Sequence, residues 1–112
     1  MKKPVVIKIG GAILDGYNQG NTFALTALLK VIASLVGQPV VIVHGGGCVV
    51  DEMLTQAGLV TEKKNGLRVT PKAHMPIISG ALAGSVNKAI VATAASLQLP
   101  AVGLSLTDGQ MV

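Results

Sequence analysis

The chain is poor in the residues that usually anchor recognition of large partners. It has no tryptophan, one phenylalanine and one tyrosine, so aromatics make up 2% of its 112 residues. That leaves no set of rings on which nucleic-acid bases could stack. Cys48 is the single cysteine, which excludes an internal disulfide and any cysteine-based metal cluster. The acidic residues number 5 against 9 lysines and arginines, for a net charge of +4. The lysines are scattered and read mostly as solvated surface, although a mild positive field also draws anions inward. No apolar run reaches the length of a membrane span. Met1-Lys2-Lys3 and the apolar residues after it imitate a signal peptide. Pro4 and Lys8 interrupt that run, and no small-residue cleavage site follows. The expectation is a soluble, cytoplasmic chain with neither a nucleic-acid nor a membrane partner.

What is plentiful is aliphatic core material and glycine. Half of the residues are hydrophobic and 14 are glycine. The length suits one small domain, residues 1–112. The most informative stretch runs from Val40 to Glu52. There Val40-Val41-Ile42-Val43 leads through His44 into Gly45-Gly46-Gly47, and a helical pattern follows. A buried strand, a turn without side chains and a helix N-terminus form a ready anion site. The helix end carries partial positive charge and unpaired N–H groups, and glycine lets an anion reach them. The same arrangement occurs earlier, where Val5–Ile9 ends in Gly10-Gly11 with Lys8 beside the turn. Two such strand ends, one bearing a lysine, suggest a site for phosphate.

Along the chain, a strand over Val5–Ile9 gives way to a polar loop from Asp15 to Asn21. Asn21 suits an N-cap for a helix through Val36, with Phe23, Leu28, Val31, Ile32 and Leu35 as its apolar stripe. Gly37 falls where a left-handed residue closes a helix. A second strand, Val40–Val43, and a helix over Cys48–Ala57 closed by Gly58 complete a parallel pair with a right-handed crossover. Cys48 then sits in the first helical turn, as a packed small residue rather than a nucleophile. Leu59–Lys64 and Leu67–Thr70 flank Asn65-Gly66, a strong hairpin signal. Thr70-Pro71 looks like a helix start, and Gly80 through Leu97 continues as a long helix rich in small residues. Pro76 implies a kink there, or a helix that begins near Met75. Pro100–Leu106 reads as a further strand and Asp108-Gly109 as a hairpin turn.

Familiar nucleotide motifs fail on inspection. Val50 stands where a dinucleotide fingerprint needs glycine or alanine, and no acidic residue ends a second strand about twenty residues on. No glycine-lysine-Ser/Thr of a Walker loop occurs.

The residues instead resemble another family. Lys8-Ile9-Gly10-Gly11 followed by His44-Gly45-Gly46-Gly47 is similar to the amino-acid kinase family. Asn65-Gly66-Leu67-Arg68-Val69-Thr70, Gly80-Ala81-Leu82-Ala83-Gly84 and Asn87-Lys88 narrow the resemblance to its acetylglutamate kinase branch, over residues 5 to about 109. The resemblance implies an α/β fold: a three-layer αβα sandwich with a mainly parallel central sheet and a β-hairpin lid, incomplete at the C-terminus. It implies transfer of the ATP γ-phosphate to the side-chain carboxylate of N-acetyl-L-glutamate, in arginine biosynthesis. ATP with Mg2+ is then a co-substrate, and no organic cofactor is bound. Alternatives are a kinase for another amino acid or carbamate, or a non-catalytic acyl-amino-acid-binding fragment.

The resemblance also implies roles. Lys8 would neutralise charge on the migrating phosphoryl group, with Gly10, Gly11 and Gly46 at its oxygens. Gly46 and Gly47 would contact acetylglutamate through the backbone. Arg68 would clasp its α-carboxylate, because a planar guanidinium donates two parallel bonds and lysine cannot. His44 reads as a hydrogen-bonded strand-end residue rather than a base, since an acceptor carboxylate is already ionised at neutral pH. Asn87 and Lys88 read as helix-surface residues without chemistry. The family's nucleotide-binding lobe lies beyond residue 112, with a second lysine, an aspartate and an asparagine of the site. No acidic residue present follows either glycine turn in a magnesium-binding arrangement, so no metal ligand is assigned. The chain is therefore expected to be the acetylglutamate-binding lobe, with little activity alone. Its immediate entry into the first strand resembles the arginine-insensitive members, and the complete protein is expected to be a homodimer.

Overall fold

The computed structural model describes residues 2–14, 16, 21–35 and 37–111. Asp15, most of the loop before Asn21 and the helix end at Val36 lie outside the described residues. β1 (Val5–Ile9) leads into a single helical turn, α1 (Gly11–Leu14), and then α2 (Phe23–Ala33), β2 (Val40–His44) and α3 (Gly47–Gln56). A hairpin of β3 (Glu62–Lys64) and β4 (Leu67–Val69) follows. A 3-10 turn (Lys72–His74) opens α4 (Met75–Ser79), which runs through a π-helical segment (Gly80–Val86) into α5 (Asn87–Ser96). A last 3-10 turn covers Asp108–Gln110.

β1 and β2 are parallel, with Val5 opposite Val40 and Ile9 opposite His44. The fold is α/β, as expected. Among the described residues its sheet is two-stranded, and the core lies on one face. Ile7, Ile9, Val40, Ile42 and His44 share that face, because side chains two apart in a strand point the same way. Leu25, Leu29 and Ile32 of α2, Val49, Val50 and Leu54 of α3, and Ile78, Ala81, Val86, Ile90 and Ala94 of the long helix join Ile9 in one buried cluster. Val6, Lys8, Val41 and Val43 lie on the opposite face and are exposed, Val6 at 65%. That second face carries no helical layer among the described residues.

The helix over 23–33 is apolar on more than one side, and of the expected stripe Ile32 and Leu28 meet the core while the rest is turned away. Leu25, Leu29 and Ile32 are buried, whereas Phe23 is 82% exposed and Val31 and Leu35 are exposed too. Asn21 does reach the helix start: its Oδ1 accepts from the Phe23 N–H at 3.2 Å. α3 closes as expected. Gly58 takes φ +77°, Leu59 N–H donates to Leu54 O at 2.8 Å and Gly58 N–H to Thr55 O at 2.9 Å. These are the paired bonds of a left-handed helix stop. They turn Leu59 toward the core, so β3 begins at Glu62 rather than at residue 59. The hairpin turn has φ +53° at Asn65 and +77° at Gly66, the mirror-image geometry that Asn-Gly favours.

Pro76 sits in the first turn of α4, where a missing N–H costs nothing, so the helix starts near Met75. The irregularity falls further on, in the π-helical Gly80–Val86. Lys72–Ser96 is long and apolar enough to cross a membrane by length and composition alone, unlike any run anticipated from the sequence. Here Ile78, Ala81, Val86, Ile90 and Ala94 from that run pack into the shared core.

Residues 100–106 form no strand. The carbonyls of Gly103 and Leu104 accept from the side chains of Lys88 and Asn87, which removes acceptors a ladder would use. Asp108 closes a local turn instead of a hairpin, accepting the Ser105 N–H at 2.7 Å.

α5 ends with the same pair of bonds as α3: Leu99 N–H to Ala94 O at 2.9 Å and Gln98 N–H to Ala95 O at 3.0 Å. The left-handed position is held by Gln98 at φ +58°, not by glycine. Gln98→Gly is therefore expected to raise unfolding stability by about 0.5–1 kcal/mol, the left-handed cost of a side chain less the extra chain entropy of glycine. Chemical denaturation of the two chains measures it; a lower midpoint for the variant contradicts this account of the helix stop.

Candidate functional site

In-register parallel pairing puts both glycine turns at one end of the sheet. Ile9 stands opposite His44, so Gly10 and Gly45 leave the strands side by side. Gly11 opens α1 and Gly47 opens α3. Gly10 has open space around the position a side chain would take. Lys8 lies one residue before the strand end, on the open face of the sheet and opposite Val43. Among the described residues it makes no ion pair.

Gly46 is the tightest point of the site. It is buried at φ +147°, and a Cβ there would lie 2.8 Å from Val86 Cγ2 and 3.2 Å from Leu82 Cδ2. Both neighbours belong to the π-helical segment. The close approach of that helix thus demands glycine here for space as well as for dihedral angle. Gly46 O still accepts from Val50 N–H at 3.0 Å, which starts the ladder of α3. α3 has ten residues and no side-chain cap, so its first N–H groups face the turn.

The hairpin brings Arg68 to this end of α3. Its Nη2 lies 3.9 Å from where a Gly47 Cβ would be. The cause is Asp51, one helical turn into α3. Arg68 Nη1 sits 2.7 Å from Asp51 Oδ1 and donates to Thr61 Oγ1 at 3.4 Å, while Thr61 Oγ1 donates to Asp51 Oδ1 at 3.2 Å. Lys63 Nζ adds a looser contact to Asp51 Oδ2 at 3.9 Å. Arg68 is only 20% exposed, so solvent weakens this pair less than a surface salt bridge. With Nη1 occupied, Nη2 is the terminal nitrogen turned toward Gly47. A carboxylate at this spot could take bonds from the guanidinium and from backbone N–H groups of the helix start.

Sequence reasoning missed Asp51 and Thr61. Asp51 lies four residues after Gly47, one turn along the same helix, so its place near the turn could have been read from spacing. Thr61 carried no signal of its own. Asn87 is not a surface residue: it is buried, and its Nδ2 lies 3.2 Å from His44 Nε2. His44 is hydrogen-bonded at the strand end, as expected. Cys48 is exposed rather than packed, because Val49, Val50 and Leu54 form the inner side of α3. The described acidic residues do not gather with histidine or cysteine into a metal-binding group.

The two neighbouring glycines are expected to respond differently to the same change. Gly46→Ala should lose more than about 2 kcal/mol of stability, from overpacking against Val86 together with an unfavourable φ. Gly47→Ala, at the first helical position with ordinary space around it, should stay within about 0.5 kcal/mol of the parent. Thermal or denaturant unfolding of both variants decides; equal effects would contradict the packing described.

The amino acid kinase family model matches residues 3–112. Over 110 residues the chain is 66% identical to the acetylglutamate kinase of Colwellia psychrerythraea (strain 34H), covering 98% of this chain and 40% of that protein. It is 50% identical over 108 residues to the acetylglutamate kinase of Aeromonas hydrophila subsp. hydrophila, covering 96% of this chain and 41% of that protein. Among solved structures, it is similar to the crystal structure of smu.665 from Streptococcus mutans UA159, with a TM-score of 0.67 and 33% identity over 88% of this chain and 38% of that one. The chain thus spans less than half the length of the relatives it matches. With its two strand-end glycine turns and its sheet-and-helix architecture, this chain belongs to the amino acid kinase family.

Proposed function

We propose that this chain supplies the acyl-amino-acid half of a phosphotransferase that moves the ATP γ-phosphate to the side-chain carboxylate of N-acetyl-L-glutamate, a step of arginine biosynthesis. The observation that carries the reading is Arg68 held by Asp51 beside Gly47. The two relatives named above, both acetylglutamate kinases, support the choice of substrate.

Phosphoryl transfer asks for positioning and charge neutralisation more than for covalent chemistry. In this reading the α-carboxylate of acetylglutamate lies between Arg68 Nη2 and the N–H groups at the start of α3. The side-chain carboxylate, ionised and nucleophilic without a base, points to the gap between the two turns. Gly10, Gly11 and Gly46 present backbone N–H groups to the migrating phosphoryl oxygens. Lys8 reaches over the strand end and offsets the charge that builds there. Loss of one such donor typically costs about 2.7–4 kcal/mol of transition-state stabilisation.

ATP and Mg2+ would be held mainly by residues outside this chain, since the described residues offer no acidic cluster. We read the complete protein as a cytoplasmic homodimer. The small exposed residues Gly84, Ala92 and Ala95 on the long helix favour close helix approach, and the open apolar face of the sheet offers a second surface. We read the protein as soluble, without a membrane partner, because Ile78, Ala81, Val86, Ile90 and Ala94 of Lys72–Ser96 join the shared core. The lack of aromatic stacking residues argues against a nucleic-acid partner.

Calorimetry on the chain tests the substrate. Acetylglutamate should bind, and L-glutamate without its acetyl group should bind more weakly; binding of neither contradicts the proposal. Roles are tested after fusing the chain to the part of the Colwellia psychrerythraea enzyme that it does not cover. Lys8→Ala should lower kcat by about 10²–10³-fold with a small change in the acetylglutamate KM. Arg68→Lys should raise that KM by about 10–100-fold and change kcat little, as expected for losing a charge-assisted paired bond. Interchanged effects would overturn the two assignments.

A further inference from the structure

The π-helical segment delivers two consecutive residues to the two ends of one turn. Val86, its last residue, packs on Gly46. Asn87, the first residue of α5, meets His44. Consecutive helical residues point about 100° apart, so this pair can brace the Gly45 step from both sides. π-helical turns are uncommon and are frequently found at functional sites.

The hydrogen bonds around Asn87 have one consistent assignment. Lys88 Nζ donates to Asn87 Oδ1 at 3.0 Å and to Gly103 O at 3.0 Å. A lysine has only protons to offer, so the oxygen of the carboxamide must be on its side. Asn87 Nδ2 therefore faces Leu104 O at 3.3 Å and His44 Nε2 at 3.2 Å, and it donates to both. His44 Nε2 must then be the bare acceptor nitrogen. Its proton lies on Nδ1, which is 2.8 Å from Gly45 O and donates to it. Every partner in the chain Lys88, Asn87, His44 and Gly45 fixes the next, and it ends on the backbone of the glycine turn.

We propose that Asn87 is a positioning residue for this turn: it holds His44 as the Nδ1–H tautomer and, through the Gly45 carbonyl, sets how Gly46 and Gly47 present their N–H groups. The function assigned to those N–H groups rests on the reading given above; the positioning itself does not. Asn87 touches neither substrate carboxylate nor phosphate in that reading. Its effect passes through His44.

The test uses the whole chain labelled with 15N, in which His44 and His74 are the two histidines. A His74→Gln chain assigns the ring signals. Under conditions where histidine is neutral, His44 should show a bare, pyridine-type Nε2 and a protonated, pyrrole-type Nδ1. Asn87→Asp keeps the side-chain volume but puts an acceptor opposite Nε2. It should move the proton to that nitrogen, shift the Gly45, Gly46 and Gly47 amide signals, and weaken acetylglutamate binding by about tenfold, the worth of one hydrogen bond. Should Asn87→Asp not fold, Asn87→Ala is read the same way and should give a mixture of tautomers. A protonated Nε2 in the parent chain overturns the proposal, as do ring and glycine signals that stay unmoved in the variant. A moved proton with unchanged acetylglutamate affinity limits Asn87 to a structural role and also overturns it. If the parent chain does not bind acetylglutamate, the substrate reading fails, and the ring and glycine signals alone decide the positioning.

Discussion

Parallel pairing of β1 with β2 in a single register is the constraint from which the site follows. Strands of opposite sense would send Gly10 and Gly45 to opposite ends of the sheet. A slip of one residue would turn Ile7 and Ile9 outward and bring Lys8 into the core. The register is enforced by burial. Ile7, Ile9, Val40 and Ile42 share the face that meets α2 and the long helix, and a slipped strand would expose them. The chemistry of the strand ends is thus a by-product of core packing several residues earlier.

The turn after β2 is gripped from two directions. From one side the hairpin brings Arg68, tied by Asp51 to the helix that the turn itself initiates. From the other, the π-helical segment sets Val86 against Gly46 and Asn87 against His44. A loop made of glycines has little intrinsic order, since glycine loses the most backbone freedom on folding. Neighbours must supply that order if backbone N–H groups are to keep fixed directions. The same close packing explains why Gly46 leaves no room for a side chain while Gly10, facing open space, does.

Much of this was legible in the sequence where local rules act alone. Asn65-Gly66 formed the mirror-image turn it favours, Gly58 closed its helix, and the valine-rich strands paired in parallel as their connections require. The stripe of α2 is only partly legible, because Phe23, Val31 and Leu35 are as apolar as Leu25 and Leu29, and Leu28 and Ile32 alone of the expected set meet the core. Periodicity cannot choose between two apolar sides, and only the neighbours do. Residues 100–106 carry a strand pattern but give the carbonyls of Gly103 and Leu104 to side chains on α5. Asn87 illustrates the same limit. An asparagine near the middle of a long helix looks superficial until a π-helical turn aims it inward. Spacing places Asp51 one turn beyond Gly47, but its hold on Arg68 depends on the hairpin folding back over α3.

We propose that two side-chain-free turns, set side by side by one sheet register, act as one anion cradle. Titration of the 15N-labelled chain with inorganic phosphate, read at individual amide signals, tests it most directly. The account predicts that the amides of Gly10 and Gly11 and those of Gly46 and Gly47 shift together and fit a single dissociation constant. Shifts confined to one turn, or two sets following different constants, would contradict it.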